Sequence, residues 1–453
     1  MIIQTEIIMY IELLFSWMYK HMRPFFSWYH FRQLLMKLLL NIGEILSTIH
    51  PNFVFIGFGS IFVFLFVYIK IKYPFWNLQP IYHSYDIWRK WKTEPYIIQK
   101  SRPYKTKFYK DQYIHTSSNL SNNHLENIMG LFHCYYISSD HLLFTMQSSD
   151  FQSYFTGHNS PCFITTYMNP FFPDTQINGV ITSRPMQLSI FNHHSYTIYY
   201  MDYVCVKPPL PISEKMDSAV SVASASAFRE LFQTHEYNCR NMNPSIQVCM
   251  FKKEIELCEG IIPLVETTTL SYYISDMELY DLPLHYEMVR LYKENTSMLQ
   301  DLSSHIGKHM DVCIYPEIGN MISLHTSQNY ISYILKKGEH VYGMYFFKNP
   351  HIQYEDLLTE TGKGHTIHCI GSIDNSSDVN LFFQGFLYSL REIIRENKNI
   401  SVLLMDKIGH NIHLINRWSK YHYTIMETKM AYYMYNIIIP QMPLLPERCF
   451  ILS

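Results

Sequence analysis

The chain has 453 residues, more than one ordinary domain holds, and its length suits two or three. Apolar residues make up 48% of it and charged residues only 16%, enough to fill a large core, which excludes a disordered chain. With 36 Lys and Arg against 38 Asp and Glu the net charge is −2, so there is no global electrostatic case for a nucleic-acid partner.

The first segment, Met1 to Trp17, is apolar but holds Glu6 and Glu12 and no basic start. Leu34 to Ile49 has the pattern of a helix lying on a membrane or protein surface. Phe53 to Ile69 reads FVFIGFGSIFVFLFVYI without a charge. At about 1.5 Å per residue it covers most of a ~30 Å hydrocarbon core, and Tyr68, Lys70 and Lys72 can reach the interface. A transmembrane helix is therefore expected over about 53–69, with a buried core helix as the alternative. The run starts too far from the N terminus for a secretory signal. Lys70, Lys72, Arg89, Lys90 and Lys92 after it slightly outweigh Lys20, Arg23, Arg32 and Lys37 before it, which puts the C-terminal portion on the cytoplasmic side.

From residue 73 the pattern changes to short strands and a few helices. Strands are expected at Phe163–Tyr167, Gln176–Thr182 and Thr197–Val206, where aromatic and β-branched residues cluster. After Pro208-Pro209-Leu210-Pro211, a helix is expected over Lys215–Cys239, capped by Ser213, and then a strand over Ser245–Phe251. The order recurs: strands at Tyr330–Leu335, Val341–Phe347 and Thr366–Ser372, an amphipathic helix at Val379–Glu396, and a strand at Ser401–Met405. A short helix at His413–Trp418 and a strand at Ala431–Ile439 follow. This predicts an α+β fold of two similar halves that meet near residues 275–285. The expected organisation is an N-terminal membrane-anchor region over 1–72, a first half over 73–280 and a second over 281–453.

The nine cysteines are scattered with no CxxC, which favours neither a disulfide framework nor a zinc site. The pairs His365/His368 and His410/His413 lack a carboxylate to complete a ligand set, so no metal is expected. No GxSxG, Walker A, GxGxxG or HExxH motif occurs. A catalytic site must then be built from backbone groups and a few side chains.

Four fragments carry a family resemblance. Tyr73–Pro80 (YPFWNLQP) resembles the Tyr-x-Phe-Trp-x-x-Gln-Pro segment of glycylpeptide N-tetradecanoyltransferases, the N-myristoyltransferases, and Thr93–Ile97 (TEPYI) follows at a similar distance. Met201–Lys207 (MDYVCVK) and Ala431–Asn436 (AYYMYN) are similar to two strands of that family, and the chain ends in a short apolar segment as the family does. The resemblance covers about residues 73–453. It implies a pair of acetyltransferase-like (GNAT) halves, in agreement with the repeated order. A spanning helix ahead of them is similar to membrane-anchored relatives of large DNA viruses, which implies a host membrane or virion location.

The resemblance implies an acyl-CoA site at Tyr73, Phe75 and Trp76, and an oxyanion hole made by the backbone N–H groups of Tyr203 and Val204. It implies that the terminal carboxylate of Ser453 deprotonates the acceptor glycine. CoA phosphates would meet the start of the helix after the oxyanion strand, where Lys207, Ser213 and Lys215 stand. The family's run of Lys and Arg is missing there, and Glu214 and Asp217 oppose. Asn411, and Tyr135 in the stretch His124–Ser138, are the implied peptide contacts. The co-substrate would be myristoyl-CoA or another long-chain acyl-CoA, with no permanently bound cofactor. The partners would be N-terminal glycine peptides and a membrane, and no nucleic acid. Three readings stay open: a membrane-tethered N-acyltransferase, a membrane-anchored pseudoenzyme or viral interaction protein keeping the fold, and a GNAT acyltransferase with another acceptor.

Overall fold

The computed structural model describes residues 51–453 apart from 120–121, 138–141, 170–171, 209–216, 275–281, 293, 296–309, 356–362 and 377. The expected segments at 1–17 and 34–49, the Ser213 cap, Lys215 and most of the junction near 275–285 fall outside the described residues. The chain divides into two compact units, Met1–Pro74 and Phe75–Ser453.

In the first unit a helix, α1 (Pro51–Lys72), forms over the uncharged run. Its side chains are described from Gly59 onward, and Phe62, Val63, Phe64 and Ile71 are exposed. Among the described residues no helix is long and apolar enough to cross a membrane. The transmembrane span expected over 53–69 is therefore observed only as a helix with exposed apolar side chains.

In the second unit the strands, in chain order, are β1 (Tyr96–Ile97), β2 (Ile114–Ser117), β3 (Leu142–Phe144), β4 (Phe163–Asn169), β5 (Phe172–Ile190), β6 (His194–Val206), β7 (Cys249–Glu254), β8 (Val265–Tyr273) and β9 (Glu287–Arg290). They continue with β10 (Val312–Pro316), β11 (Tyr330–Lys337), β12 (His340–Lys348), β13 (Ile352–Glu355), β14 (Lys363–Asp374), β15 (Ile400–Asp406), β16 (Thr424–Tyr435), β17 (Ile437–Ile438) and β18 (Cys449–Ile451). The helices are α2 (Asn122–Tyr135), α3 (Ser148–Ser153), α4 (Asp217–Met242), α5 (Ile318–Thr326), α6 (Val379–Glu396) and α7 (Asn411–Trp418).

One mixed sheet carries the unit, in the order β18-β10-β5-β6-β7-β16-β8-β15-β14-β12-β11-β9. The expected repeat is present. Antiparallel β4, β5 and β6 lead into α4, and β7 returns parallel to β6. Antiparallel β11, β12 and β14 lead into α6, and β15 returns parallel to β14. Each helix is the crossover that a parallel pair requires. The two repeats interlock: β16, from the end of the chain, lies between β7 and β8, and β8 pairs with β15.

Local chemistry explains the crossover α6. Asp378 accepts a hydrogen bond from the Asn380 N–H at 2.8 Å and caps the start. Leu381, Phe382, Phe386, Leu390 and Ile393 then fall on one face and are buried against Tyr345 and Phe347 of β12. Nothing of the C-terminal segment is frayed. Strand β18 pairs parallel with β10, Leu452 N–H donates to the Ile314 carbonyl at 2.8 Å, and Cys449 to Leu452 are at most 2% exposed. Gly371 of β14 makes room for it, since a Cβ there would lie 2.9 Å from Leu452 Cδ2.

Candidate active site

Strand β6 breaks its ladder between Asp202 and Cys205. Val180 of β5 pairs with Cys205 and Thr182 with Asp202, so Tyr203 and Val204 together face the single residue Ile181. Such a bulge bends the strand and turns main-chain groups out of the ladder. Tyr203 takes φ = 48°, a left-handed conformation that a bulky side chain holds only under restraint. The restraint is aromatic. The rings of Phe132, Tyr136, Phe151 and Tyr154 have centroids 5.8, 6.0, 5.3 and 5.5 Å from that of Tyr203. The Tyr203 N–H donates to its neighbour's carboxylate, Asp202 Oδ1, at 2.9 Å.

The face of the sheet that carries Asp202 gathers charge from several strands. Lys348, the last residue of β12, donates from Nζ to the main-chain oxygen of Ser453 at 3.2 Å and lies 5.3 Å from the Tyr154 ring centroid. Burial pulls its ammonium down to about 8; Asp202 and Asp406 oppose that shift, while Arg184 and Lys252 add to it. The Ser453 hydroxyl meets the Tyr432 hydroxyl of β16 at 2.9 Å.

Next to this group, Asp406 of β15 accepts from Lys252 Nζ at 3.1 Å and from Thr269 Oγ1 at 2.6 Å, and lies 3.2 Å from His368 Nε2. Burial opposes its ionisation. Lys252 and His368 win, and they hold the carboxyl far below the usual carboxylate range. Arg184 of β5 is fully buried, with its guanidinium over the rings of Tyr154 and Tyr200 at 5.2 and 5.5 Å. One of its nitrogens reaches Asn320 Oδ1 at 3.4 Å, while its Nε and Asp202 Oδ2 are buried with no hydrogen-bond partner.

The sequence-derived candidates divide among these places. Tyr203, Val204 and Ser453 are set around the bulge and the buried terminus, and Ser453 is 8% exposed. Phe75 and Trp76 are buried core, packed against Phe232 of α4, with Trp76 stacked on Phe251 of β7. Tyr73 belongs to the first unit, where its N–H continues α1 to the Ile69 carbonyl at 2.9 Å. Tyr135 ends α2 half-exposed, with Lys207 Nζ 5.8 Å from its ring centroid. Asn411 is fully buried. Its amide donates to the carbonyls of Cys369 and Asp406, and its Oδ1 accepts from Ser372 Oγ, so the side chain ties β14 to β15.

Asp202, Lys348, Lys252, Asp406 and Arg184 are the residues that sequence reasoning missed. Asp202 lies inside the recognised MDYVCVK fragment. Lys348 and Asp406 are single charges closing apolar strand runs, a placement in which a charge is paired or functional, whereas Lys252 stands beside Lys253 and Glu254 and Arg184 shares its strand with Asp174, so these two carried no such signal. Among the described residues no three His, Cys, Asp or Glu side chains group to hold a metal ion.

This architecture is that of the N-myristoyltransferase fold. Solved structures of the Saccharomyces cerevisiae N-myristoyltransferase with bound myristoyl-CoA are similar to it. One superposes with a TM-score of 0.59 over 84% of this chain and 94% of the yeast chain, at 11% identity. Another, bound to myristoyl-CoA and inhibitors, gives 0.57 over 82% and 91%, also at 11% identity. No family model matches the chain, and no curated protein matches it in sequence.

Proposed function

We propose that residues 75–453 form an acyltransferase of the N-myristoyltransferase type, which moves a long-chain acyl group from acyl-CoA to the N-terminal glycine amine of a peptide or protein. The observation that carries this reading is the bulge at Tyr203 and Val204 in β6, together with the burial of the terminal residue Ser453, which Lys348 and Tyr432 hold. In the reaction the amine nitrogen attacks the thioester carbonyl and the carbonyl oxygen gathers negative charge; its collapse forms the amide and breaks the C–S bond, and CoA leaves as a thiolate that takes up the proton lost by the amine. Main-chain N–H groups at the bulge stabilise that charge once the Tyr203 N–H exchanges Asp202 Oδ1 for the oxyanion. Where the chain ends at Ser453, its carboxylate takes the proton from the amine. Binding both substrates in line supplies the remainder, with no covalent enzyme intermediate.

A second reading, a pseudoenzyme that keeps the fold, is favoured by one observation: the Tyr203 N–H is already taken by Asp202. Titration with myristoyl-CoA and an acyl-transfer assay on a glycine peptide separate the two. Micromolar binding with transfer supports the enzyme. Binding weaker than about 100 μM, about −5.5 kcal/mol, with no transfer, leaves the pseudoenzyme. The uncharged run over 53–69 and the exposed apolar side chains of α1 support a membrane anchor for either reading. Carbonate extraction of membranes from expressing cells tests it, and release into the soluble fraction overturns it.

A further inference from the structure

We propose that the face of the second unit built from residues 85–107 docks on an anionic lipid surface, with Trp88 and Trp91 entering the headgroup layer and the lysines and arginines around them meeting lipid phosphates and carboxylates. The inference is independent of the acyl-transfer reading and assigns a membrane contact to residues outside α1.

Three observations carry it. The short helical turn Ile87–Trp91 (IWRKW) buries none of its residues. Trp88 and Trp91 are 73% and 67% exposed, whereas the other described tryptophans, Trp76 and Trp418, are 9% and 1% exposed. Leaving rings of this size in water forfeits a large apolar burial. An indole, with an apolar body and one N–H donor, is at home where hydrocarbon meets headgroups. The charge of the segment is the second observation. From Asp86 to Asp111 it holds eight Lys and Arg against three Asp and Glu, in a chain whose net charge is −2. Two of those acids are already met, Asp86 by Arg89 at 3.1 Å and Asp111 by Lys105 at 3.8 Å. Lys90, Lys92, Lys100, Arg102 and Lys107 are exposed, with only Glu94 opposing them.

Adjacency is the third. A cavity of about 350 Å³ is lined by Tyr85, Asp86 and Arg89 from one stretch and by Gln99, Pro103 and Tyr104 from the other, so both stretches open on one face. Tyr104 adds a further exposed ring there. Lys92 Nζ lies 5.4 Å from the Tyr96 ring centroid and Lys105 Nζ 4.2 Å from that of Tyr109. The lysine stems thus run along aromatic surface while their heads stay with polar groups.

Composition selects the occupant. Lysine is depleted in protein–protein interfaces, and here Lys90 and Lys92 stand beside the two indoles. A second copy of the chain would bring the same positive face against itself. An anionic bilayer meets both features at once: headgroup charge for the basic side chains, and an apolar layer beneath for the indoles. Nucleic acid shares only the preference for positive charge and stacking rings, and the test separates it.

The full chain is bound to vesicles of phosphatidylcholine alone and to vesicles with about 30% phosphatidylserine. Both carry some phosphatidylcholine brominated along its acyl chain, which quenches nearby indoles. Trp88→Phe/Trp91→Phe keeps apolar rings and removes the reporters, so the wild-type emission minus that of the variant isolates these two indoles. Lys90→Glu/Lys92→Glu reverses the neighbouring charge. All four side chains are exposed, so neither variant disturbs the core. On serine-containing vesicles at low salt the difference emission is expected to shift to the blue and to fall by about half. That quenching is expected to drop at least ~twofold on neutral vesicles, in about 1 M salt, where the Debye length is about 3 Å, and in the charge-reversed variant. Difference emission that brominated lipid leaves unquenched, or quenches equally on neutral and anionic vesicles, overturns the inference. A response of the two indoles to polyuridylic acid without lipid assigns the face to nucleic acid and overturns it too. Flotation of the same samples judges the α1 anchor separately, because a chain held by α1 alone floats with both kinds of vesicle and leaves the difference emission unquenched.

Discussion

His235 of α4 is held between Thr165 Oγ1 at 2.7 Å and Ser183 Oγ at 2.6 Å, entirely inside the protein. Burial pulls its imidazole down to about 3, and burial with the charge of Lys348 pulls His351 down to about 4. Both stay neutral in the folded chain, while the unfolded chain protonates them near 6.5. The folded pKa lies below the unfolded one, so between these values the unfolded state binds more protons. Stability therefore falls as pH drops from about 6.5 toward 4. Thermal midpoints measured across that range should fall, and the fall should be smaller in His351→Gln. Asp406 has the opposite origin and the same direction: its ionised form is held by Lys252, Thr269 and His368, and that contribution is lost as acid protonates it. Asp406→Asn leaves Lys252 buried without its partner and should cost about 3–5 kcal/mol in urea unfolding.

Strand β18 depends on one missing side chain. Gly371 faces Leu452 and Phe450 so closely that an added Cβ would lie 2.9 and 3.2 Å from their atoms. Gly371→Val should cost about 1–3 kcal/mol by overpacking and should raise exposure of Ser453, read as faster hydrogen exchange at Leu452. Elements with strong local signals were legible from the residues alone. The boundaries of α6 matched its apolar spacing, and the order of strands and helix in both repeats was correct. Misses have physical causes. The expected strand 431–439 is two strands, β16 and β17, because Asn436 turns left-handed at φ 66° and spends its amide on the Gln99 and Gln247 carbonyls. Strand β5 runs on to Ile190 through Pro185, a residue that reads as a strand breaker and is accommodated opposite Tyr199. Strand β7 begins at Cys249 rather than Ser245, because a turn from Asn243 to Ile246 takes the first residues. The bulge at Tyr203 was legible only through family resemblance, because its signal is a backbone angle and not a composition. The charged cluster was illegible because its members lie far apart in sequence and meet only through the strand order.

The placement of Ser453 ties the far end of the chain to β12 and β16. Under the acyltransferase reading, a short tag fused after Ser453 should abolish transfer while leaving myristoyl-CoA binding intact, checked on one preparation by assay and titration. Full activity with the tag would remove the terminus from the mechanism. The interlocked sheet carries a further consequence for how the molecule is made. Strands β7 and β8 have no pairing with each other, and β16 is the wedge that joins them. During synthesis both wait with open edges until residues 424–435 leave the ribosome, nearly the whole length of the polypeptide. A nascent chain of this kind closes its sheet late, and the open edges are exposed to wrong pairing while the segment between Tyr273 and Thr424 is being made.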